Sequence, residues 1–384
     1  MKTETAKGFS DYLGEDASKK LQVKKIIEET FLLYGFEPAE TPIVEYEEFV
    51  KGDNEKDEAV SDIFKLEDKG KRKLALRYEL TFPLKRIAKN QKLPYKRYQI
   101  GPVFRDEPVS SNRFRQFTQA DVDIIGSELK DDAELMRLTS EIMKKLNINA
   151  EIFFNNRKLL NEILEDLKIE ERYREDVIRI IDKLDKKSEQ EILDELAEYK
   201  AEKILKVIKS PEKCKDYNFY KEIKEVEKYC KLFNVKATFL PSLARGLSYY
   251  NRTVFEVKSK DVKETITAGG SYIFNKVQST GISFGIERLS QLAKIIPETI
   301  DYLILSLGKD KEAIQITEKL REKDNKVQLM MDKSPSKAME YANTKKIENV
   351  IFIGEEEVKS KKFKIKNMKT GKENTLSEKE LLNI

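Results

Sequence analysis

Between Ser18 and Tyr34 the apolar residues Leu21, Val23, Ile26, Ile27, Phe31, Leu33 and Tyr34 recur mostly at intervals of three and four. That spacing puts them on one side of a helix, which Gly35 can close. Residues 36–44, with Pro38 and Pro42, read as extended. The polar residues 65–70 read as a turn, residues 74–81 as a strand, and 82–88 as a helix with Pro83 in its first turn. Two runs rich in Tyr, Phe, Val and Ile then flank 108–112, the pattern of two strands and a hairpin loop. Residues 129–146 fit a helix and 150–154 a strand. Over 155–235 helical periods dominate (Leu159, Leu160, Ile163, Leu164, Leu167; later Ile192, Leu193, Leu196, Ile204, Val207, Ile208), and no glycine interrupts them. Strand character returns at 237–240, 249–257, 265–272 and 281–286, the last running into a helix through Leu292. From Ile300 strands (302–307, 326–331, 350–354, 363–367) alternate with helices (312–323, 335–345), as in a small α/β domain with a mainly parallel sheet. Residues 295–298, with Pro297, form the expected hinge.

The hairpin carries charge beside its apolar residues. At a period of two, Arg105 and Glu107 share one face, and so do Gln119, Asp121 and Asp123. Such a face is either solvated or the wall of a site. Glu79 and Thr81 fall where a strand meets a helix; Thr81 fits an N-cap or a pocket group equally well. An Arg245-Gly246 pair enters a Tyr- and Val-rich strand, a bend that presents Arg245. Gly269-Gly270 marks a place where a ligand or another chain segment approaches the backbone.

Composition narrows the chemistry. The 384 residues are enough for two or three domains of roughly 100–200 residues each. They are 39% hydrophobic and 37% charged, so the chain is globular with a heavily ionised surface. A net charge of +4 allows a local basic face without requiring one. Two cysteines without a CxxC spacing argue against a disulfide framework or zinc site and fit a reducing cytoplasm. No apolar run reaches the about 18 residues of a membrane span, and the N-terminus has no apolar export segment. There is no histidine, which removes every Ser-His or Cys-His nucleophile and every imidazole general base. Any catalysis rests on carboxylates, Arg, Lys, Tyr or a bound ion.

Phe-Arg105-x-Glu107, a loop, then Arg113-x-x-x-Phe117 resembles motif 2 of the class II aminoacyl-tRNA synthetases. The helix, strand and Pro of 18–44 resemble motif 1, which builds the dimer interface in that class. Gly285-Ile-Glu-Arg288-Leu resembles motif 3. Within the class, Arg245-Gly-Leu-Ser248-Tyr249-Tyr250 is similar to the Arg-Gly-Leu-Asp-Tyr-Tyr signature of the histidyl-tRNA synthetase family, and Gly269-Gly270-Ser271-Tyr272-Ile273 to its Gly-Gly-Arg-Tyr-Asp. Leu76-Arg-Tyr-Glu79-Leu-Thr81 resembles the segment that holds the substrate amine. The resemblance covers almost the whole chain, in the family's order.

It implies a class II α+β catalytic domain, an antiparallel sheet flanked by helices, over 1–154 and 236–296. A helical insertion over 155–235 and a C-terminal α/β anticodon-binding domain over 297–384 complete the expected organisation. The implied reaction is ATP-dependent ligation of L-histidine to tRNA(His) through a histidyl-adenylate, by a cytoplasmic homodimer, with Mg2+ arriving on ATP and no metal bound by the protein alone. By resemblance Arg105 and Arg245 approach the α-phosphate as catalytic cations. Arg113 and Arg288 meet the β- and γ-phosphates, Glu107 accepts from the adenine amino group, and Phe117 stacks on the ring. Glu79, Thr81 and Gln119 accept the α-ammonium. Asp123 and Tyr250 serve the two imidazole nitrogens, beside Tyr249, and Tyr272 closes the pocket. Ser248, Ser271 and Ile273 depart from the family pattern. A different implied function is that of a silent paralogue that binds histidine and regulates a partner such as ATP phosphoribosyltransferase. Such paralogues usually lack the anticodon-binding domain and lose phosphate-contacting arginines, whereas this chain has both.

Overall fold

The computed structural model describes residues 3–52, 60, 62–110, 113–245 and 249–383. The chain divides into two compact units, one of residues 1–11 and 23–295, the other of 12–22 and 296–384.

The first unit holds strands β1 (Glu37–Pro38), β2 (Val44–Tyr46), β3 (Lys65–Glu67), β4 (Lys73–Leu76), β5 (Tyr95–Phe104), β6 (Gln116–Ile125), β7 (Glu151–Asn156), β8 (Ala237–Phe239), β9 (Tyr250–Ser259), β10 (Val262–Phe274) and β11 (Val277–Gly285). Eight of them form one sheet in the order β1-β5-β6-β11-β10-β9-β7-β8, antiparallel except at its two ends; β2, β4 and β3 form a small second sheet. The β5–β6 hairpin joins two ten-residue strands, paired from Tyr95–Ile125 to Phe104–Gln116. Alternation decides what each face of β6 does. Ala120, Val122 and Ile124 enter the core, packed with Phe31 of the helix Gly14–Leu33 and Leu135 and Leu138 of the helix Leu129–Lys145. Gln119, Asp121 and Asp123 therefore share the opposite face. They are 8%, 3% and 3% exposed, so that face is a buried polar wall and not a solvated one.

Residues 155–235 form the expected helices, among them Arg157–Asp166, Glu171–Ile181 and Tyr220–Leu232. Their apolar stripes (Leu160, Ile178, Ile223, Val226) belong to the same core as Phe154 and Phe255 of the large sheet. Both cysteines are buried and free there.

The second unit contains β12 (Tyr302–Ser306), β13 (Val327–Met330), β14 (Asn349–Ile353), β15 (Lys362–Asn367) and β16 (Glu373–Ser377), in the order β13-β12-β14-β15-β16. The first three are parallel, and β15 and β16 are added antiparallel. Along β12, Ile304 packs under the helix Asp310–Arg321, while Leu303 and Leu305 pack under the helix Pro335–Thr344. The unit thus has a core on each face of its own sheet.

Several expectations need correction. Residues 65–67 form an edge strand, not a turn: they pair with β4 although all three side chains are exposed, so no apolar pattern marks them. β4 stops at Leu76, not at residue 81. Arg77 donates from its backbone to the Ile43 carbonyl, and its buried guanidinium donates to the Thr41 and Pro102 carbonyls. The following helix is short, Leu84–Ile87, and begins after Pro83, so the Thr81 side chain does not cap it. Among the described residues no helix is long and apolar enough to cross a membrane.

Candidate active site

The β5–β6 register sets Arg97 against Asp123 and Gln99 against Asp121. Arg97 is fully buried; its guanidinium lies 2.6 Å from Asp123 Oδ2 and donates to the Leu80 carbonyl. Asp123 Oδ1 accepts from the Tyr272 hydroxyl. Asp121 Oδ1 accepts from Ser283 Oγ on β11, and Gln119 Nε2 donates to that same oxygen at 2.6 Å. Burial raises the Asp121 carboxyl to about 7 against the pull of Ser283 and Arg97, and it also raises Asp123. Two buried carboxylates facing one arginine make a site that favours a cation.

A cavity opens on this wall. It is lined by Thr81, Asp121, Asp123, Tyr249, Tyr250, Tyr272 and Ser283, and by the glycine backbones of 270 and 281. The glycines are required by space. A Cβ on Gly270 would lie 2.6 Å from the Thr253 carbonyl and 2.9 Å from the Tyr250 ring, and one on Gly281 would lie 2.3 Å from Asp123 Oδ1. What approaches Gly270 is thus the Tyr250 ring, whose centre lies 4.5 Å from that of Tyr249 with the two rings tilted by 47°. Burial raises all three tyrosines, so their hydroxyls keep their protons at neutral pH and can donate. Glu79 acts on Asp121, Tyr249 and Tyr272 through its charge.

Two of the departures from the family signature, Ser271 and Ile273, lie off the cavity wall. Along β10, Gly270 and Tyr272 line the cavity. Ser271, between them, is fully buried and donates to Asp132 Oδ1 at 2.8 Å on the helix Leu129–Lys145, and Ile273 is 52% exposed. Ser248 lies outside the described residues, as do Ser111 and Asn112 of the hairpin loop.

The expected phosphate and adenine residues fall into two groups. Past the end of β5, Glu107 lies 3.8 Å from Arg105 and 3.9 Å from Arg113, and the Arg105 guanidinium sits 5.2 Å from the centre of the Phe117 ring. Arg105 is steadied by donating to the Tyr78 carbonyl. In the second group Arg245 donates to Glu256 Oε1 at 2.8 Å, Thr265 Oγ1 donates to Glu256 Oε2, and Arg288 donates to the Thr265 carbonyl. One buried carboxylate therefore ties Arg245 to the strand that holds Arg288.

A family model of histidyl-tRNA synthetase matches residues 8–289, and one of an anticodon binding domain matches 301–384. The chain belongs to the histidyl-tRNA synthetase family. It is 36% identical to "Histidine--tRNA ligase 1" of Bacillus cereus, over 97% of this chain and 95% of that protein. To "Histidine--tRNA ligase" of Helicobacter pylori it is 32% identical, over 95% and 93%. The fold superimposes on the histidyl-tRNA synthetase of Nostoc with a TM-score of 0.89 at 24% identity, covering 100% of this chain and 99% of that one. A Bacillus halodurans structure titled as an ATP phosphoribosyltransferase regulatory subunit/histidyl-tRNA synthetase scores 0.76 at 21% identity, over 91% and 98%.

Family membership leaves several functional neighbours unforeseen. Arg97, Ser283, Glu256 and Arg157 were not singled out from the sequence. Arg97 was findable, since counting back from the loop sets it opposite Asp123. Arg157, which is 1% exposed, donates to the Arg245 carbonyl across 88 positions, and no local signal announces that.

Proposed function

We propose that this chain is a cytoplasmic histidine–tRNA ligase working in two steps. A histidine carboxylate oxygen attacks the α-phosphorus of ATP, the bond to pyrophosphate breaks, and histidyl-adenylate forms. A terminal hydroxyl of tRNA(His) then attacks the acyl carbon, and AMP leaves. The observation that carries the substrate choice is the buried wall Gln119–Asp121–Asp123 facing Tyr250 and Tyr272. A wall of fixed donors and acceptors rejects apolar isosteres, because they leave those groups unpaired. Glu79, Thr81 and Gln119 take the α-ammonium; Asp123, with Tyr250 and Tyr272, frames the imidazole.

Arg105 and Arg245 offset the charge that builds on the α-phosphate, and Arg113 and Arg288 hold the outer phosphates. Preorganised cations stabilise such charge most where water is scarce. Glu107 and Phe117 receive the adenine. Mg2+ in this proposal comes with the nucleotide and is held chiefly by its phosphates. The apolar residues left exposed at Leu32, Leu33, Ile43 and Val44, in the segment resembling motif 1, support a homodimer. The regulatory reading has less behind it, because both the C-terminal unit and the four arginines are present.

The test is amino-acid-dependent exchange of labelled pyrophosphate into ATP. Histidine with magnesium–ATP is expected to support exchange, and a protein silent with every standard amino acid is not a ligase of this kind.

A further inference from the structure

Gln119 has a buried Oε1 with no partner, although its other end is tightly held. An ionised Asp121 can only accept hydrogen bonds. Ser283 has one hydroxyl proton, and it points to Asp121 Oδ1 at 2.5 Å. Ser283 Oγ is thereby left as an acceptor, and the group it accepts from is Gln119 Nε2. The donor order is thus fixed from one end: carboxylate, hydroxyl, amide. The amide cannot turn over without placing its oxygen against a hydroxyl whose proton is already committed. Ser283 itself is pinned on β11 by pairing with Asp121, and its carbonyl accepts from Thr267 Oγ1.

We propose that Asp121 is a positioning residue for histidine recognition: acting through Ser283, it locks the Gln119 amide so that Oε1, and not the NH2 group, is offered to the substrate's α-ammonium. This rests on the assignment of Gln119 to the ammonium made above. A protonated Asp121 can donate to Ser283, which frees the Ser283 proton for Gln119 Oε1. The amide then turns and presents N–H groups to a cation.

Asp121 titrates within the working range, since burial raises it to about 7. The charged groups that face it are Arg97 from β5, Asp123 on its own strand, and Glu79 and Arg77 from the segment after β4. Above about 7 the carboxylate is ionised and the lock is set; as pH falls through that value the lock is lost, so histidine binding weakens on acidification.

The experiment uses the full chain and pyrophosphate exchange, with KM measured for histidine and for ATP. The competing probe is 3-(imidazol-4-yl)propanoate, which keeps the ring and carboxylate and lacks the amine. Ser283→Ala and Asp121→Asn are each expected to raise KM for histidine about tenfold or more, the scale of one lost hydrogen bond to a charged group. KM for ATP and the inhibition constant of the amine-free probe should change less than about twofold, well inside that scale. Wild-type KM for histidine should rise from pH 8 to pH 6 more steeply than that of Asp121→Asn; titration of free histidine is common to both and cancels. Equal weakening of histidine and the amine-free probe, or the same pH slope in both proteins, would overturn the lock. If the wild type shows no histidine-dependent exchange at all, it is the ligase assignment that fails. The two failures are therefore separable.

Discussion

Arg97 has to be where it is because Asp123 is. A carboxylate that is 3% exposed in a sheet needs a counter-charge, and the guanidinium at 2.6 Å supplies one. Replacing Arg97 by Met keeps most of the volume and removes the charge. Breaking one side of a buried pair typically costs about 3–5 kcal/mol, mostly because the other charge is stranded. Arg97→Met is therefore expected to lower unfolding stability by about that amount at neutral pH, measured by urea denaturation. The sign with pH follows from Asp123. Burial already raises its folded-state carboxyl, and removing Arg97 raises it further. The defect is then largest where the unfolded state is fully ionised, and it shrinks as pH falls toward about 4. Adding Asp123→Asn should recover much of the loss. A loss that is independent of pH, or one the second change leaves untouched, would mean that Arg97 serves packing alone.

The same pair shows what single positions reveal in a sequence. Asp123 and Gln119 were legible because the hairpin's period and a family motif both pointed at them. Asp121 was visible as part of a charged strand face but had no assigned task, since the hydrogen bond that singles it out comes from Ser283, 162 positions away. Arg105 and Glu107 were expected on a strand face; they lie on the irregular segment beyond Phe104. Motifs name residues that touch substrates. The residues that hold those residues still come from strand pairings that no local pattern encodes.

At the scale of elements, β10 is where the site and the fold constrain each other most. Its alternation sends Gly270 and Tyr272 to the cavity, while Ser271 meets the helix Leu129–Lys145. Gly270→Ala would put a methyl group 2.6 Å from the Thr253 carbonyl and 2.9 Å from two carbons of the Tyr250 ring. Backbone cannot yield as a flexible side chain can, so the strain falls on the β9–β10 pairing and on Tyr250. Overpacking of this kind costs about 1–3 kcal/mol. The expected outcome is a stability loss in that range with a disproportionate rise in KM for histidine, while KM for ATP stays near wild type. Ser271→Ala, on the other side of the strand, should lower stability without that selectivity. If Gly270→Ala left histidine binding intact, the Tyr250 ring would not be part of the pocket. Ser271 and Ile273 depart from the family pattern, and the period of two places both on the side of β10 away from Gly270 and Tyr272.

For the whole molecule, the sequence divided well where composition changed and less well where packing decided. Alternating strands and helices after residue 300 announced a small α/β sheet, with 363–367 among its strands; that strand pairs antiparallel to β14, and β16, which is polar and mostly exposed and carries no core signal, was not foreseen. The helical stretch 155–235 was expected as an insertion, and its stripes complete the core of the large sheet, while Arg157 from it holds the Arg245 carbonyl. Its removal would expose that core and unfix Arg245, so it cannot be deleted cleanly. The C-terminal unit is different. The buried members of both its core clusters lie within residues 303–381 and their packed partners from 300 onward, and none of them belongs to the core under the large sheet. A chain ending at Ile295 keeps every residue assigned to ATP and histidine. It is therefore expected to retain histidine-dependent pyrophosphate exchange and to lose most of its charging of tRNA(His), with the loss appearing as a higher KM for tRNA. Filter-bound labelled histidine on a tRNA transcript measures the second quantity, and the exchange assay on the same preparation measures the first. Because both are read on one sample, loss of both would mean that the shortened chain is misfolded, which circular dichroism would register. Charging that survives at the wild-type KM would mean that residues 301–384 contribute nothing to tRNA binding, despite their match to an anticodon binding domain.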